Sequence, residues 1–258
     1  MQVTANLGFL FTEHPFLERF AAARAAGFRC VECHSPYDHA LEEIRSRLDE
    51  TGLILTGLNT PTGDRAKGEF GLAGLPGRES EFRRGFEQAL AYAAALGCRS
   101  IHVLAGVAAP DERAAARRTY VANLRWAAKA ARGTGLMLLL EPISTQPGYL
   151  VTRSDEVAEI LKEIADPAVQ MLFDIFHVHV LEGDVLGRIQ RHGGLIGHVQ
   201  IAGLPHRNEP DRSVLPLGSL SDALRGIGYT GLIGLEYQPL RRTDEGLAWL
   251  SDNALWKS

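Results

Sequence analysis

Cysteine is scarce in this sequence. Cys30, Cys33 and Cys98 are the only three in 258 residues, an odd, low count that argues against a disulfide scaffold and predicts a reducing, cytoplasmic setting. Cys30 and Cys33 spell C-x-x-C, but no second pair exists to complete a zinc site. They lie in a strand-like run where residues three apart face opposite sides, so small buried thiols are expected. Basic charge is not in excess: 27 Lys and Arg stand against 31 Asp and Glu, a net charge of -4, which gives no support to a nucleic-acid partner. No apolar run approaches the roughly 20 residues that a membrane-spanning helix needs, so no membrane partner is expected. The opening "MQVTANLGFLF" has no positive n-region and does not resemble a signal peptide. No linker-like or low-complexity segment divides the chain, and one domain over residues 1–258 is expected.

What the sequence does have is repetition. Helical stretches stop at or near glycine and a short apolar run follows: "FLERFAAARAAG" then "FRCVE", "ALEEIRSRLDETG" then "LILTGLN", "EFRRGFEQALAYAAALG" then "CRSIHVLAG", "RTYVANLRWAAKAARGTG" then "LMLLLEP". The pattern continues with "SDEVAEILKEIADP", which stops at proline instead, and "AVQMLFD", then "VLGRIQRHGG" and "LIGHVQIAG", "LSDALRGIGYTG" and "LIGLEY". Glycine is the usual helix stop because it enters the left-handed region without steric cost. With the opening "VTANLG" there are eight apolar runs, and "TDEGLAWL" closes the series. Alternating strands and helices imply a parallel sheet, and eight units imply an α/β fold of the (β/α)8 TIM barrel type. A doubly wound open sheet is the structural alternative. The widest loop, "NTPTGDRAKGEFGLAGLPGRE", follows the third run, where it would lie over a barrel mouth as a lid or an interface.

Active sites of such barrels form at the C-terminal ends of the strands. Four consecutive runs end in oxygen-bearing side chains: Glu141, Asp174, Gln200 and Glu236. Three carboxylates at one mouth repel without a counter-charge, and an all-oxygen set suits a hard divalent ion such as Mg²⁺ or Mn²⁺. Asn6 with Phe9, Glu32, Asn59 and His102 are further candidates at the first four runs. His177 follows Asp174 in "DIFHVH", read as a continuing strand or loop, with His179 taken as structural. The loop "IAGLPHRNEPD" brings His206 and Arg207, and an arginine fork suits a substrate carboxylate.

These segments resemble the hydroxypyruvate isomerase family, within the wider group of xylose-isomerase-like barrels. The resemblance runs through "FTEHPFLERFAAARAAGF" with "VE", "GEFGLAGLPGRE", "HVLAGV", "HVQIAGLPHRNEPD" and "GYTGLIGLEYQP". It implies the (β/α)8 fold, Glu141, Asp174, Gln200 and Glu236 as metal ligands, and Glu141 with Glu236 as the pair that moves the proton. It implies substrate contacts at His177 and Arg207. Related ketose 3-epimerases usually carry histidine where Gln200 stands, so Gln200 points to the hydroxypyruvate-type branch. The chain departs from the family pattern at Gln238, where lysine is common, and at "HSPYDH", which brings in His34, Tyr37, Asp38 and His39.

The expected activity is isomerisation of a small hydroxy-oxo acid, either hydroxypyruvate with tartronate semialdehyde or a 2-oxo-tetronate with its 3-oxo isomer. A ketose or inosose epimerase and a non-catalytic metal-pocket binding protein are the alternatives. An apurinic endonuclease would need a histidine-rich trinuclear zinc site and a basic surface, and the chain shows neither. The expected partner is the small oxo acid itself, and a homo-oligomer is compatible with the sequence.

Overall fold

The computed structural model describes residues 1–252, apart from the side chains of Arg212, Ser251 and Asp252. Eight parallel strands close into a barrel in chain order: β1 (Val3–Asn6), β2 (Cys30–Cys33), β3 (Ile54–Asn59), β4 (Ser100–His102), β5 (Met137–Leu140), β6 (Val169–Asp174), β7 (Ile196–Ile201) and β8 (Ile233–Leu235). Closure places Val3 opposite Ile233. The barrel expected from the eight-fold repeat therefore forms, and the open sheet does not. Residues 253–258, included in the expected single domain, lie outside the described residues.

The helices wrap the barrel: α1 (Arg19–Ala25), α2 (Leu41–Thr51), α3 (Glu79–Leu96), α4 (Arg113–Ala130), α5 (Ser154–Ile164), α6 (Ile175–Glu182), α7 (Val185–His192), α8 (Leu217–Gly226), α9 (Thr243–Gly246) and α10 (Ala248–Asp252). The glycine stops hold at α2 and α3, whose C-caps Gly52 and Gly97 adopt φ of 65°. Among the described residues no helix is long and apolar enough to cross a membrane.

Period-two alternation sorts each strand into two faces. Val31, Ile101, Leu138, Leu140, Met171, Phe173, Val199 and Ile201 belong to the buried core between sheet and helices. The alternate set faces the barrel interior: Glu32 and His34, Gly57 and Asn59, Ser100 and His102, Leu139 and Glu141, His198 and Gln200. The interior is thus unusually polar towards its C-terminal mouth. Two register shifts, between Val31 and Glu32 and between Met171 and Leu172, occur just before inward-facing acids, where a bulge re-aims the side chains that follow. Cys30, Cys33 and Cys98 are free and buried, as expected, and burial pushes the Cys98 thiol up to about 11.

Candidate active site

The strand ends deliver their acids to one place. Oxygen or nitrogen atoms of Glu141, Asp174 and His177 lie within 4.8 Å of one another, all buried. A cavity of about 320 Å³ opens beside them, and Phe9, His34, Asn59, Arg65, Phe70, His102, Gln200, Arg207 and Glu236 also line it.

The segment carrying His177 is helical, where the sequence reading had a continuing strand or loop. Asp174 ends β6 and at once caps α6, its Oδ1 accepting from the Phe176 N–H at 2.8 Å. The helix was hidden because Ile175, Phe176, Val178 and Val180 form an apolar run without clear periodicity. The turn of helix swings His177 back over Asp174, with Nε2 3.5 Å from Asp174 Oδ2 and 3.7 Å from Glu141 Oε1. Ser144 fixes the ring: its backbone N–H donates to His177 Nδ1 at 3.1 Å, and its hydroxyl lies 2.7 Å away. A backbone N–H can only donate, so Nδ1 is the acceptor and the neutral ring carries its hydrogen on Nε2. Burial favours that neutral form and lowers the His177 pKa, although Asp174 pulls the other way. His177 is therefore an N–H donor aimed into the centre, and no lone pair remains there to bind a metal.

Arg207 is the cation of the site. It is buried, in a turn where its φ is 60°, a left-handed conformation that costs energy for a non-glycine residue. Nη2 donates to Glu236 Oε1 at 2.6 Å and to Asp174 Oδ2 at 3.0 Å. Phe9 and Phe176 cover its guanidinium, with ring centroids 4.7 and 4.9 Å from Cζ. Glu236 was expected beside Asp174 and Glu141, yet it stands across this guanidinium from Asp174. Mutually repelling buried carboxylates draw in the nearest cation, which here is Arg207. Asn6 Nδ2 donates to Glu236 Oε2 at 2.8 Å, and His34 Nε2 lies 3.0 Å from the same oxygen.

Burial opposes ionisation of Glu236, but the positive charges of His34 and Arg207 outweigh it and hold the carboxyl down. Burial raises Glu141 well above the ordinary range, and the charges of Glu236 and Asp174 push it further. His102, 3.5 Å from Glu141, is kept neutral by burial, its pKa lowered to about 3. The Arg207 guanidinium and the His34 imidazole thus face three acids, of which Glu141 keeps its proton. The Oε1 atoms of both Glu141 and Gln200 are buried without a hydrogen-bond partner. Clustered carboxyl groups with free, buried oxygen atoms fit a hard divalent cation, which would take the place of the proton that burial keeps on Glu141.

Beneath the acids a second layer holds Gln200. Glu32 Oε2 accepts from Gln200 Nε2 at 3.4 Å and lies 3.1 Å from His198 Nε2. Glycine makes the room for it: a Cβ on Gly234 would meet Glu32 Oε1 and, at 2.8 Å, Gln200 Cγ. Of the remaining candidates, Phe9, Asn59 and His102 line the cavity, while Asn6 holds Glu236 from behind. Sequence reasoning missed Ser144, His198, Arg65 and Phe70. Ser144 lies three residues beyond Glu141 in "EPIS", and that proximity was the one signal available for it.

The family described as xylose isomerase-like TIM barrel matches residues 20–253. The chain is 47% identical to the 2-oxo-tetronate isomerase of Cupriavidus necator over 249 residues, covering 95% of this chain and 96% of that protein. It is 37% identical to the hydroxypyruvate isomerase of Escherichia coli over 253 residues, covering 97% and 98%. A crystal structure of AP endonuclease, family 2, from Brucella melitensis superposes with a TM-score of 0.94 at 39% identity, covering 97% of this chain and 98% of that one.

Proposed function

The chain belongs to the xylose isomerase-like TIM barrel family, and we propose that it acts as a metal-dependent isomerase of a small 2-oxo hydroxy acid. Hydroxypyruvate, interconverting with tartronate semialdehyde, and a 2-oxo-tetronate, interconverting with its 3-oxo isomer, are the two substrates of this class that the cavity would take. The observation that carries the reading is that Glu141 and Glu236, three strands apart, line one cavity, with the donors Arg207 beside Glu236 and His177 beside Glu141.

Glu141, Asp174 and Gln200 would hold the cation, with Glu236 joining when Arg207 yields its Oε1. When bound, Mg²⁺ or Mn²⁺ would polarise the substrate carbonyl and lower the energy of negative charge developing on oxygen. The protein's own groups then move the proton. One of Glu141 and Glu236 takes it from the carbon beside the carbonyl, and the same residue or the other returns it to the adjacent carbon. Asn6 and His34 keep Glu236 oriented for that transfer. His177 offers Nε2–H to a substrate oxygen, and Arg207 offers Nη1, which has no hydrogen-bond partner among the described residues. Phe9 and Phe176 exclude water from the face of Arg207.

The endonuclease reading has little to support it: among the described residues the only cluster of three or more acidic, histidine or cysteine side chains close enough to share an ion is Glu141, Asp174 and His177, with a single histidine, and the net charge is -4.

The test is proton NMR of Mn²⁺- or Mg²⁺-loaded protein in D₂O with hydroxypyruvate, a 2-oxo-tetronate and fructose in parallel. Deuterium entering an oxo acid as its isomer appears is the expected result. Exchange with fructose alone would replace this reading by a sugar epimerase. No exchange with any substrate, while the metal still binds, would leave a non-catalytic pocket.

A further inference from the structure

The cavity has two arginines, and they are in opposite states. Arg207 is engaged with Asp174, Glu236 and the Glu236 carbonyl. Arg65 lines the same cavity from the long loop after β3, and among the described residues its guanidinium has no ion pair and no hydrogen bond. It lies over the face of Phe70, with Cζ 4.8 Å from the ring centroid. A guanidinium held over a ring face keeps its five N–H donors in its own plane and available.

The loop holds this pair in place. Asp64 accepts from the Ala66 N–H at 3.0 Å and so caps the short turn Arg65–Lys67. Glu69 accepts from the Asp64 N–H at 2.6 Å and pairs with Arg78 at 2.7 Å. Gly71, with φ of 104°, pairs with Ala105 beyond β4, and a Cβ there would meet Leu104 at 2.5 Å. Phe70 packs edge-on against buried Tyr149, with centroids 5.9 Å apart. Phe70 is thus a fixed platform, and Arg65 lies on it facing the cavity.

Charge decides which end of the substrate meets Arg65. The floor of the cavity carries Glu141, Asp174 and Glu236, where the carbonyl and hydroxyl must lie for proton transfer. A substrate carboxylate among these acids would be repelled. It is driven towards the mouth, where Arg65 is the uncommitted cation. We propose that Arg65 is the receptor for the substrate carboxylate and the residue that makes this pocket select oxo acids over neutral sugars and hydroxyketones. The proposal rests on the isomerase reading above. It divides the roles: Arg207 neutralises the acids of the floor, and Arg65 recognises the acid of the substrate.

The experiment compares wild type with Arg65→Met, which keeps an apolar stem on Phe70, and Arg65→Lys. The expected result for Arg65→Met is a KM for the oxo acid about 10- to 100-fold higher, the loss of one charged hydrogen-bonded contact. Its kcat stays within about threefold and its Mn²⁺ affinity is unchanged, while Arg65→Lys recovers part of the KM. Deuterium exchange into dihydroxyacetone, which has no carboxylate, is the same in wild type and Arg65→Met. An unchanged KM for the oxo acid, or an equal loss with dihydroxyacetone, would overturn the proposal and leave the loop a cover. Calorimetric titration with tartronate, an unreactive dicarboxylate, separates this proposal from the isomerase reading. If wild type turns over no oxo acid yet binds tartronate at least tenfold tighter than Arg65→Met, the isomerase reading fails and the carboxylate receptor stands. Equal or absent tartronate binding in both proteins overturns the receptor.

Discussion

Arg207 Nη2 lies 2.6 Å from Glu236 Oε1 and 3.0 Å from Asp174 Oδ2, so a single nitrogen links β6 to β8 across the barrel mouth. Removing it would leave two buried carboxylates facing each other and Glu141. Breaking a buried ion pair from one side costs about 3–5 kcal/mol. Arg207→Met should therefore lose about that much stability in urea unfolding with chelator present. Added Mn²⁺ should restore a larger part of it than the same Mn²⁺ adds to wild type. Equal metal-induced stabilisation of both proteins would mean that Arg207 and the cation do not share the same acids.

Gln200 supplies the second test. Its Nε2 faces Glu32 and its Oε1 is buried with no hydrogen-bond partner, so the amide keeps a free acceptor beside the cavity. Gln200→Leu keeps the volume and removes the oxygen. It should weaken Mn²⁺ binding about 10- to 100-fold, the range seen when the surroundings of a metal site are disturbed. Unchanged Mn²⁺ affinity by calorimetry would remove Gln200 from the metal set.

Gly234 can be tested without touching a charged group. A methyl group there would press on Glu32 Oε1 and Gln200 Cγ. Gly234→Ala should destabilise the fold by about 1–3 kcal/mol through overpacking, and it should weaken Mn²⁺ binding through Gln200. Full stability in thermal unfolding would show that Glu32 has another place to go.

Much of this arrangement was legible in the chain because barrel chemistry follows strand order. Alternation puts Glu141, Asp174, Gln200 and Glu236 on inward positions, and the glycine stops precede most of the strands. What was not legible arises from competition in space. Helix α6 hides in an apolar run that continues straight from β6. The engagement of Arg207 with Asp174 and Glu236 depends on a turn with φ of 60°, which no residue pattern announces. Arg65 looks like any loop arginine until the turn around Gly63 to Gly71 sets it on Phe70. Glu32 is a lone acid in the strand and becomes the support of Gln200 only when β2 faces β7 across the interior.

His102 gives the pH dependence. An unfolded chain binds a proton at this residue below about 6.5, whereas burial in the native barrel lowers its pKa to about 3. Between those values the unfolded state holds more protons, so stability falls as the pH falls through the window. At pH 7 the unfolded residue is still about one quarter protonated, and the slope vanishes only above about pH 8. His102→Gln removes the titration, and wild type should lose stability relative to it by up to about 1.4 kcal/mol per pH unit below 6.5. Urea unfolding of both proteins at pH 7.0, 6.0 and 5.0 measures the difference. Stability curves that stay parallel across that range would mean that His102 takes up a proton in the native state as readily as in the unfolded one, and that the centre beside Glu141 is open to water.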